Sequence, residues 1–391
     1  MHLSYGRDLF MTPGPSVIPD RVLNAMHRAA PNIYAGPLVD SFDDILKNLR
    51  KIARTSGNVS VYVCNGHGVW EAALHNVIAP GQKVLTLATG RFGHGWAEVA
   101  QKMRIAVELL DFGSTSRFDP ETITQALRAD KFHEIKAVMG THTDTSTSVS
   151  NDIAALRAAI DAADHPALLM VDCIASLGCE RFEMDAWGVD VMVAGCQKGL
   201  MTPPGLAFTF HNAKADAVSQ SITKTSPYWD WAPRISGARF YQKFGGTPPT
   251  HHLFGLEAAL EMLVVDEGLE NLWARHKQQA EAIWAAIDAW AIGGVLRCSV
   301  PDPNHRSYAV TTIISDDADF TALRHWCENQ AGLVLGIGLG FDNRAFRIGH
   351  MGHMNPPMLL GALATIDAGL KACNIPHGKG AIDAAVQVIS R

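Results

Sequence analysis

An aspartate and a lysine, each placed just beyond a short apolar run, are the residues of this chain best suited to carbonyl chemistry. Ala167–Val171 is short, apolar and followed by turn formers, so it reads as a buried strand that ends at Asp172. Val189–Ala194 reads the same way and precedes Lys198. In open α/β sheets ligands bind at the carboxyl ends of strands, so the acid and the amine can converge on one molecule. A carboxylate there can keep a ring nitrogen protonated, and a lysine can form an imine with a carbonyl. Lys198 stands between Ala194-Gly195-Cys196-Gln197 and Gly199-Leu200-Met201-Thr202-Pro203-Pro204-Gly205. Surroundings so poor in charge predict a partly buried amine with a lowered pKa. Taken singly, a strand-end Asp serves as well for a helix cap, and a lone Lys for a solvated side chain.

The run Val171–Gly178, followed by Gly195-Cys196-Gln197-Lys198 with Pro203-Pro204-Gly205 behind it, resembles the class V aminotransferases. The likeness is greatest to their alanine–glyoxylate and serine–glyoxylate (serine–pyruvate) branch, and it extends from Thr12-Pro13-Gly14-Pro15-Ser16 to Arg347-Ile348-Gly349. The resemblance implies an α/β fold, type I of the transferases dependent on pyridoxal 5'-phosphate (PLP). Such a fold has a large domain with a mainly parallel seven-stranded sheet flanked by helices, and a smaller α+β C-terminal domain. It implies PLP as cofactor, Lys198 as its imine-forming residue and proton carrier, and Asp172 as the partner of the ring nitrogen. The implied reaction is transamination between a small L-amino acid (alanine, serine or aspartate) and a small 2-oxo acid, glyoxylate foremost.

The elements that must position these groups are legible in outline. Residues 11–15 are too rich in Pro and Gly for helix or central strand and are expected to cross the body of the protein. The expected division is an arm over 1–16, a large cofactor domain over 17–265 and a small domain over 266–391. Helices are expected over Pro19–Ala30 and Asp40 to about Arg54, separated by a broken loop. By resemblance, that loop brings Tyr34 towards the substrate. Val59–Cys64 alternates as a strand, Asn65-Gly66-His67-Gly68 follows, and Trp70, Ala73, Leu74, Val77 and Ile78 recur at helical spacing. The loop therefore lies on a helix N-terminus, where free amides favour an anion. The resemblance assigns Asn65, Gly66 and His67 to the cofactor phosphate. A strand over Lys83–Ala88 leads to Phe92, which the resemblance stacks on the cofactor ring, with Ile174 on the opposite face. The strand Ile135–Gly140 runs into the hydroxyl-dense loop 141–147, where Thr145 matches a cofactor-binding position and Ser148 stands where glycine is common. Gln197 joins this set by the same resemblance.

Beyond Lys198 come a strand over Leu206–Phe210, a helix near Ala213–Ser221 and an aromatic run, Tyr228-Trp229-Asp230-Trp231, expected at a subunit contact. Gly246-Thr247-Pro248-Pro249 resembles the motif whose Thr reaches the phosphate of the neighbouring subunit's cofactor, which implies a homodimer with shared sites. Phe244 stands where a Tyr is common, and Tyr241 is the nearby substitute. A helix over Phe254–Val265 and another over Leu272–Ala291 lead to strands near Ala309–Ile314 and helices near Phe320–Gln330 and Pro357–Ala372. Gly336, Gly338 and Gly340 lack a β-α-β context and read as a flexible substrate-side loop. Arg347 matches the residue that clamps the substrate carboxylate, a task suited to a planar fork. Tyr34, His350 and residues near Tyr228 are candidates for reading the donor side chain.

Composition narrows the classes. With 391 residues, 47% hydrophobic and 18% charged, the chain is of ordinary soluble type and long enough for two domains. A formal net charge of -6 gives no general pull towards nucleic acid or anionic membrane. No secretory h-region or membrane-length run is present, and seven scattered cysteines do not read as a disulfide framework, so the cytoplasm is expected. His251 and His252 are adjacent and point apart, and no H-E-x-x-H or paired-Cys spacing suggests a metal. A desulfurase or selenocysteine lyase would need a reactive loop cysteine, whereas Cys327 falls in a helical pattern. Aminotransferases acting on pyridoxamine with pyruvate, on 2-aminoethylphosphonate or on hydroxykynurenine stay open. A non-catalytic cofactor binder would have little use for both Lys198 and Arg347.

Overall fold

The computed structural model describes residues 3–391. Its strands, in chain order, are β1 (Leu9–Met11), β2 (Asn58–Tyr62), β3 (Lys83–Ala88), β4 (Ala106–Asp111), β5 (Ile135–Thr141), β6 (Leu168–Asp172), β7 (Val191–Gly195), β8 (Ala207–His211), β9 (Arg297–Cys298), β10 (Val310–Ile314), β11 (Leu333–Ile337) and β12 (Ala345–Gly349). Seven of them form one sheet in the order β2-β8-β7-β6-β5-β3-β4. The pairs from β4 to β7 are parallel, and β8 runs antiparallel to both its neighbours. This is the mainly parallel α/β architecture expected.

The apolar runs of β6 and β7 are buried along their whole length because both faces of the sheet are covered. Leu169 and Val171 face a core shared with the helices Pro37–Ala53 and Ile153–Ala162. Leu168 and Met170 face the other core, shared with the helix Gly66–Val77. Burying each such side chain contributes about 1.5–3 kcal/mol, enough to fix which residues point to which face. The helix Gly66–Val77 buries more than the predicted stripe: Ala72, His75 and Asn76 are enclosed as well. The aromatic run covers that side, since Asn76 Nδ2 donates to the Trp229 carbonyl at 2.8 Å and Asn76 Oδ1 accepts from Trp231 N at 3.1 Å. Trp231 stacks on His211 at 3.9 Å. Trp231 is thus buried within its own chain, whereas Trp229 is half-buried and Tyr228 is 37% exposed.

A second sheet, in the order β1-β11-β12-β10-β9, has its own core, with Trp290, Ile313, Phe346 and Leu363 packed between the strands and the helices Leu269–Ala291 and Pro356–Ala372. Its edge strand is β1, parallel to β11 with Leu9 opposite Leu333 and Met11 opposite Leu335. The arm therefore does not simply lie over the body. Its three residues complete a sheet formed far along the chain, and a run so short carries no readable period. Gly336 also departs from expectation: it lies inside β11, opposite Arg347, rather than in a loop. A Cβ there would stand 2.5 Å from Pro13 Cδ, so the glycine makes room for the arm. The helix foreseen over Phe254–Val265 begins earlier, at Thr250 after Pro249, and ends at Glu261, after which Met262–Glu267 continues as a π-helical turn. Among the described residues no helix is long and apolar enough to cross a membrane.

Candidate active site

The carboxyl ends of β2, β3, β5, β6 and β7 open onto a cavity of about 260 Å³. Asn65, Gly66, His67, Phe92, Thr145, Asp172, Ile174, Gln197 and Lys198 all line it, brought together from five separate strand ends. Arg347, Tyr34 and Thr247 do not line it.

Asp172 is the last residue of β6 and only 4% exposed. Its Oδ1 accepts the Ile174 amide at 2.7 Å and its Oδ2 accepts the indole N–H of Trp70 at 2.8 Å. Burial pushes the carboxyl up to about 7 despite both donors. No cation is hydrogen-bonded to it among the described residues, so it suits a buried positive N–H supplied by a ligand.

Lys198 lies in the turn after β7 and is partly buried. Burial, then the positive charge of Arg347, lowers its amine to about 8. Its Nζ donates to the Pro13 carbonyl oxygen. Ser16 grips the same turn, with its hydroxyl donating to the Lys198 carbonyl at 2.7 Å and its amide to the Gln197 carbonyl at 2.9 Å. Gly14, at φ +105°, has no room for a Cβ, which would stand 2.6 Å from the lysine side chain. The arm is thus part of the site, which the Pro/Gly composition of 11–15 did not reveal.

Asn65 caps the helix Gly66–Val77: its side-chain oxygen accepts from His67 N at 3.1 Å and Gly68 N at 3.3 Å. Two of the amides expected to be free are therefore satisfied within the chain, and the Gly66 N–H is left for an anion. The need for glycine at 66 comes from Ile174, whose Cδ1 would lie 2.6 Å from a Cβ there. Phe92 opens the helix Arg91–Lys102 and donates its amide to Asp144 Oδ2 at 2.9 Å.

Asp144 also accepts from Gly93 N at 3.2 Å and Ser146 N at 2.9 Å, tying the hydroxyl-dense loop to that helix. In this loop Ser148 takes φ +64°, the left-handed conformation that glycine accommodates most easily. The second sheet holds it there, through Thr312 N to Ser148 Oγ at 3.2 Å and Thr312 Oγ1 to the Ser146 carbonyl at 3.0 Å. Arg347, on β12, donates Nε to the Ile337 carbonyl at 2.7 Å and Nη1 to the Thr145 carbonyl at 2.8 Å. Burial lowers its guanidinium to about 10, still cationic at neutral pH. Nη2 has no hydrogen-bond partner among the described residues, so the guanidinium retains donors suited to a carboxylate.

Tyr34 is 75% exposed, edge-on to Tyr241 at 6.5 Å. Thr247 is exposed, away from the cavity of its own chain. Phe244 is buried against Phe42 and Phe240, and the Tyr241 hydroxyl accepts from Arg239. His350 is fully buried, with its Nε2 at 3.0 Å from the Thr311 hydroxyl, and like Arg347 it is not among the residues that line the cavity. Cys327 is buried in the helix Thr321–Ala331, its thiol pushed up to about 12. Trp70, Asp144 and Pro13 were missed from sequence: an indole at helical spacing reads as core, an acid among hydroxyls as a turn, and a backbone carbonyl leaves no signal.

Residues 10–339 match the family model described as aminotransferase class-V. The serine–glyoxylate aminotransferase of Methylorubrum extorquens is 37% identical over 94% of this chain and 93% of its own. The L-aspartate–glyoxylate aminotransferase of Paracoccus denitrificans is 34% identical over 96% and 94%. The crystal structure of ureidoglycine–glyoxylate aminotransferase from Bacillus subtilis superposes with a TM-score of 0.90 over 100% of both chains, at 27% identity.

Proposed function

This chain belongs to the class V aminotransferases, and from that premise we propose that it moves the amino group of serine, alanine or aspartate to glyoxylate. The observation that carries the reading is that Asp172, a buried carboxyl with no cation hydrogen-bonded to it among the described residues, and Lys198, a partly buried amine, line one cavity. Pyridoxal phosphate, the family's cofactor, fits this cavity on its own features. Asp172 is a buried acid without a cation, the enclosed Gln197 Oε1 has no partner among the described residues, and Ile174 and Phe92 supply apolar walls for a ring. We assign its ring nitrogen to Asp172, its faces to Ile174 and Phe92, and its phosphate to the Gly66 and His67 end of the cavity, with Thr145 and Gln197 on the ring substituents. When bound, it supplies the aldehyde that takes up an amino group and the ring that disperses the electron pair left by the departing α-proton.

The chain's own groups do the rest. Near neutral pH an amine of pKa about 8 is neutral in part, so Lys198 Nζ can take a proton from the substrate α-carbon and return it. The two buried donors on Asp172 hold its carboxylate facing the cavity. Arg347 would fix the carboxylate of donor and acceptor alike, which aligns the α-carbon with Lys198.

We further propose a homodimer in the cytoplasm, with Thr247 serving the partner's cavity. The exposure of Thr247 away from its own site and the seven unpaired cysteines support this. A core under the second sheet, separate from the two that cover the seven-stranded sheet, supports a large and a small domain, which we place at 17–265 and 266–391 with 1–16 as the arm. The test is the half-reaction of the purified enzyme with each L-amino acid, followed by loss of the aldehyde-form absorbance and its recovery with glyoxylate. Conversion by serine, alanine or aspartate is expected. Conversion by none of them, with pyridoxamine and pyruvate reacting instead, would replace this reading.

A further inference from the structure

Asp172 is held by an indole whose surroundings leave it one orientation. Trp70 is 1% exposed, and its Nε1 donates to Asp172 Oδ2 at 2.8 Å. Its ring lies nearly parallel to Trp96, at 6.1 Å and 16°, with the His67 ring at 4.8 Å and the Phe92 ring at 6.4 Å. The indole thus touches three of the residues assigned to the cofactor while sitting in the first turns of the helix behind them. Trp96 is an internal comparison within the same stack: its Nε1 is equally enclosed and has no hydrogen-bond partner among the described residues.

We propose that Trp70 is a positioning residue for Asp172, whose indole N–H fixes the plane of the carboxylate and favours its ionised form. The inference rests on the role assigned to Asp172 above. An N–H aimed at a carboxylate is stronger than one aimed at a neutral carboxyl, so it favours the charge. It opposes the burial that drives Asp172 the other way. With Ile174 N on Oδ1 and Trp70 on Oδ2, neither oxygen can rotate away without leaving a buried donor unpaired.

The test compares Trp70→Phe with Trp96→Phe. Each change removes one indole N–H and keeps an aromatic ring, but only the first breaks a hydrogen bond. In cofactor-free protein, the infrared carboxyl band of Asp172, identified by its loss in Asp172→Asn, is titrated with pH. Trp70→Phe should raise its midpoint by about one pH unit and weaken pyridoxal phosphate binding about tenfold, whereas Trp96→Phe should leave both unchanged. Equal shifts in the two variants, or none in either, would reduce Trp70 to packing. Should Trp70→Phe not fold, the wild type still decides: one of the nine indole N–H resonances must move with the Asp172 midpoint and stop moving in Asp172→Asn. No such signal overturns the proposal. These readings need neither substrate nor turnover, so they stand apart from the choice of amino donor.

Discussion

Arg347 Nη1 donates to the main-chain carbonyl of Thr145 at 2.8 Å, so a strand of the second sheet and a loop at the carboxyl edge of the first meet in one guanidinium. Arg347 also sits opposite Gly336 on β11, the strand that β1 extends, and β1 leads directly to Pro13 and the lysine amine. Arg347, the proposed carboxylate clamp, and Lys198, the proposed proton carrier, are therefore linked through the second sheet and the arm, not only through the sheet that carries Asp172.

Replacing Arg347 with lysine keeps a positive charge but removes the fork and both of its carbonyl anchors. The expected result is a rise of about tenfold or more in KM for amino donor and 2-oxo acceptor alike, because both present a carboxylate to one group. Steady-state kinetics with each substrate varied in turn checks this. A rise confined to one substrate would assign Arg347 to a side-chain pocket.

The strands around Asp172 and Lys198 were legible because buried parallel strands are short, apolar and bounded by turn formers. Residues such as Phe92 and Thr145 were found only through resemblance, since a lone aromatic or hydroxyl after a strand has many uses. Two kinds of feature stayed hidden. Pro13 acts through a backbone oxygen, and Trp70 carries its hydrogen bond on the same face that the helical period marks as core. Ser148 was legible as a departure from glycine, but what holds its left-handed backbone was not: beside the local bond from its amide to the Asp144 carbonyl at 2.9 Å, its own carbonyl accepts from Ser307 N at 3.0 Å, far along the chain.

Asp172 also makes the stability of the cofactor-free protein depend on pH. Its folded value, about 7, lies above the ordinary 3.8, so between these values the folded chain holds a proton that the unfolded chain has released. Its contribution to stability therefore falls as pH rises through that window and is lowest above it. Asp172→Asn removes this dependence. The stability of the variant relative to wild type should improve from pH 4 to pH 8, by at most a few kcal/mol, since a tenfold change in proton affinity corresponds to ~1.4 kcal/mol. The amide's mismatch with one of its two N–H donors, about 1–3 kcal/mol, is the same at both pH values and cancels in the comparison. Thermal melts at the two pH values, with no cofactor present, would refute the burial argument if the difference between the proteins did not change.

The assignment of Thr247 to a partner's cavity makes a prediction that one subunit alone cannot satisfy. Thr247 is exposed and separated from the cavity lined by Asp172 and Lys198 of its own chain. Closed two-fold pairs are the commonest oligomers, and such a pair can bring this hydroxyl to the neighbouring phosphate seat. Thr247→Ala should then weaken cofactor retention, while Lys198→Ala should abolish multiple turnover. After subunit exchange between the two variants, a heterodimer contains one site built from Lys198 of the Thr247→Ala chain and Thr247 of the Lys198→Ala chain. That site is whole. Activity at limiting cofactor should rise above that of either parent, in proportion to the heterodimer fraction measured independently. If verified heterodimers show no recovery, Thr247 serves its own chain or none, and the shared-site geometry is wrong.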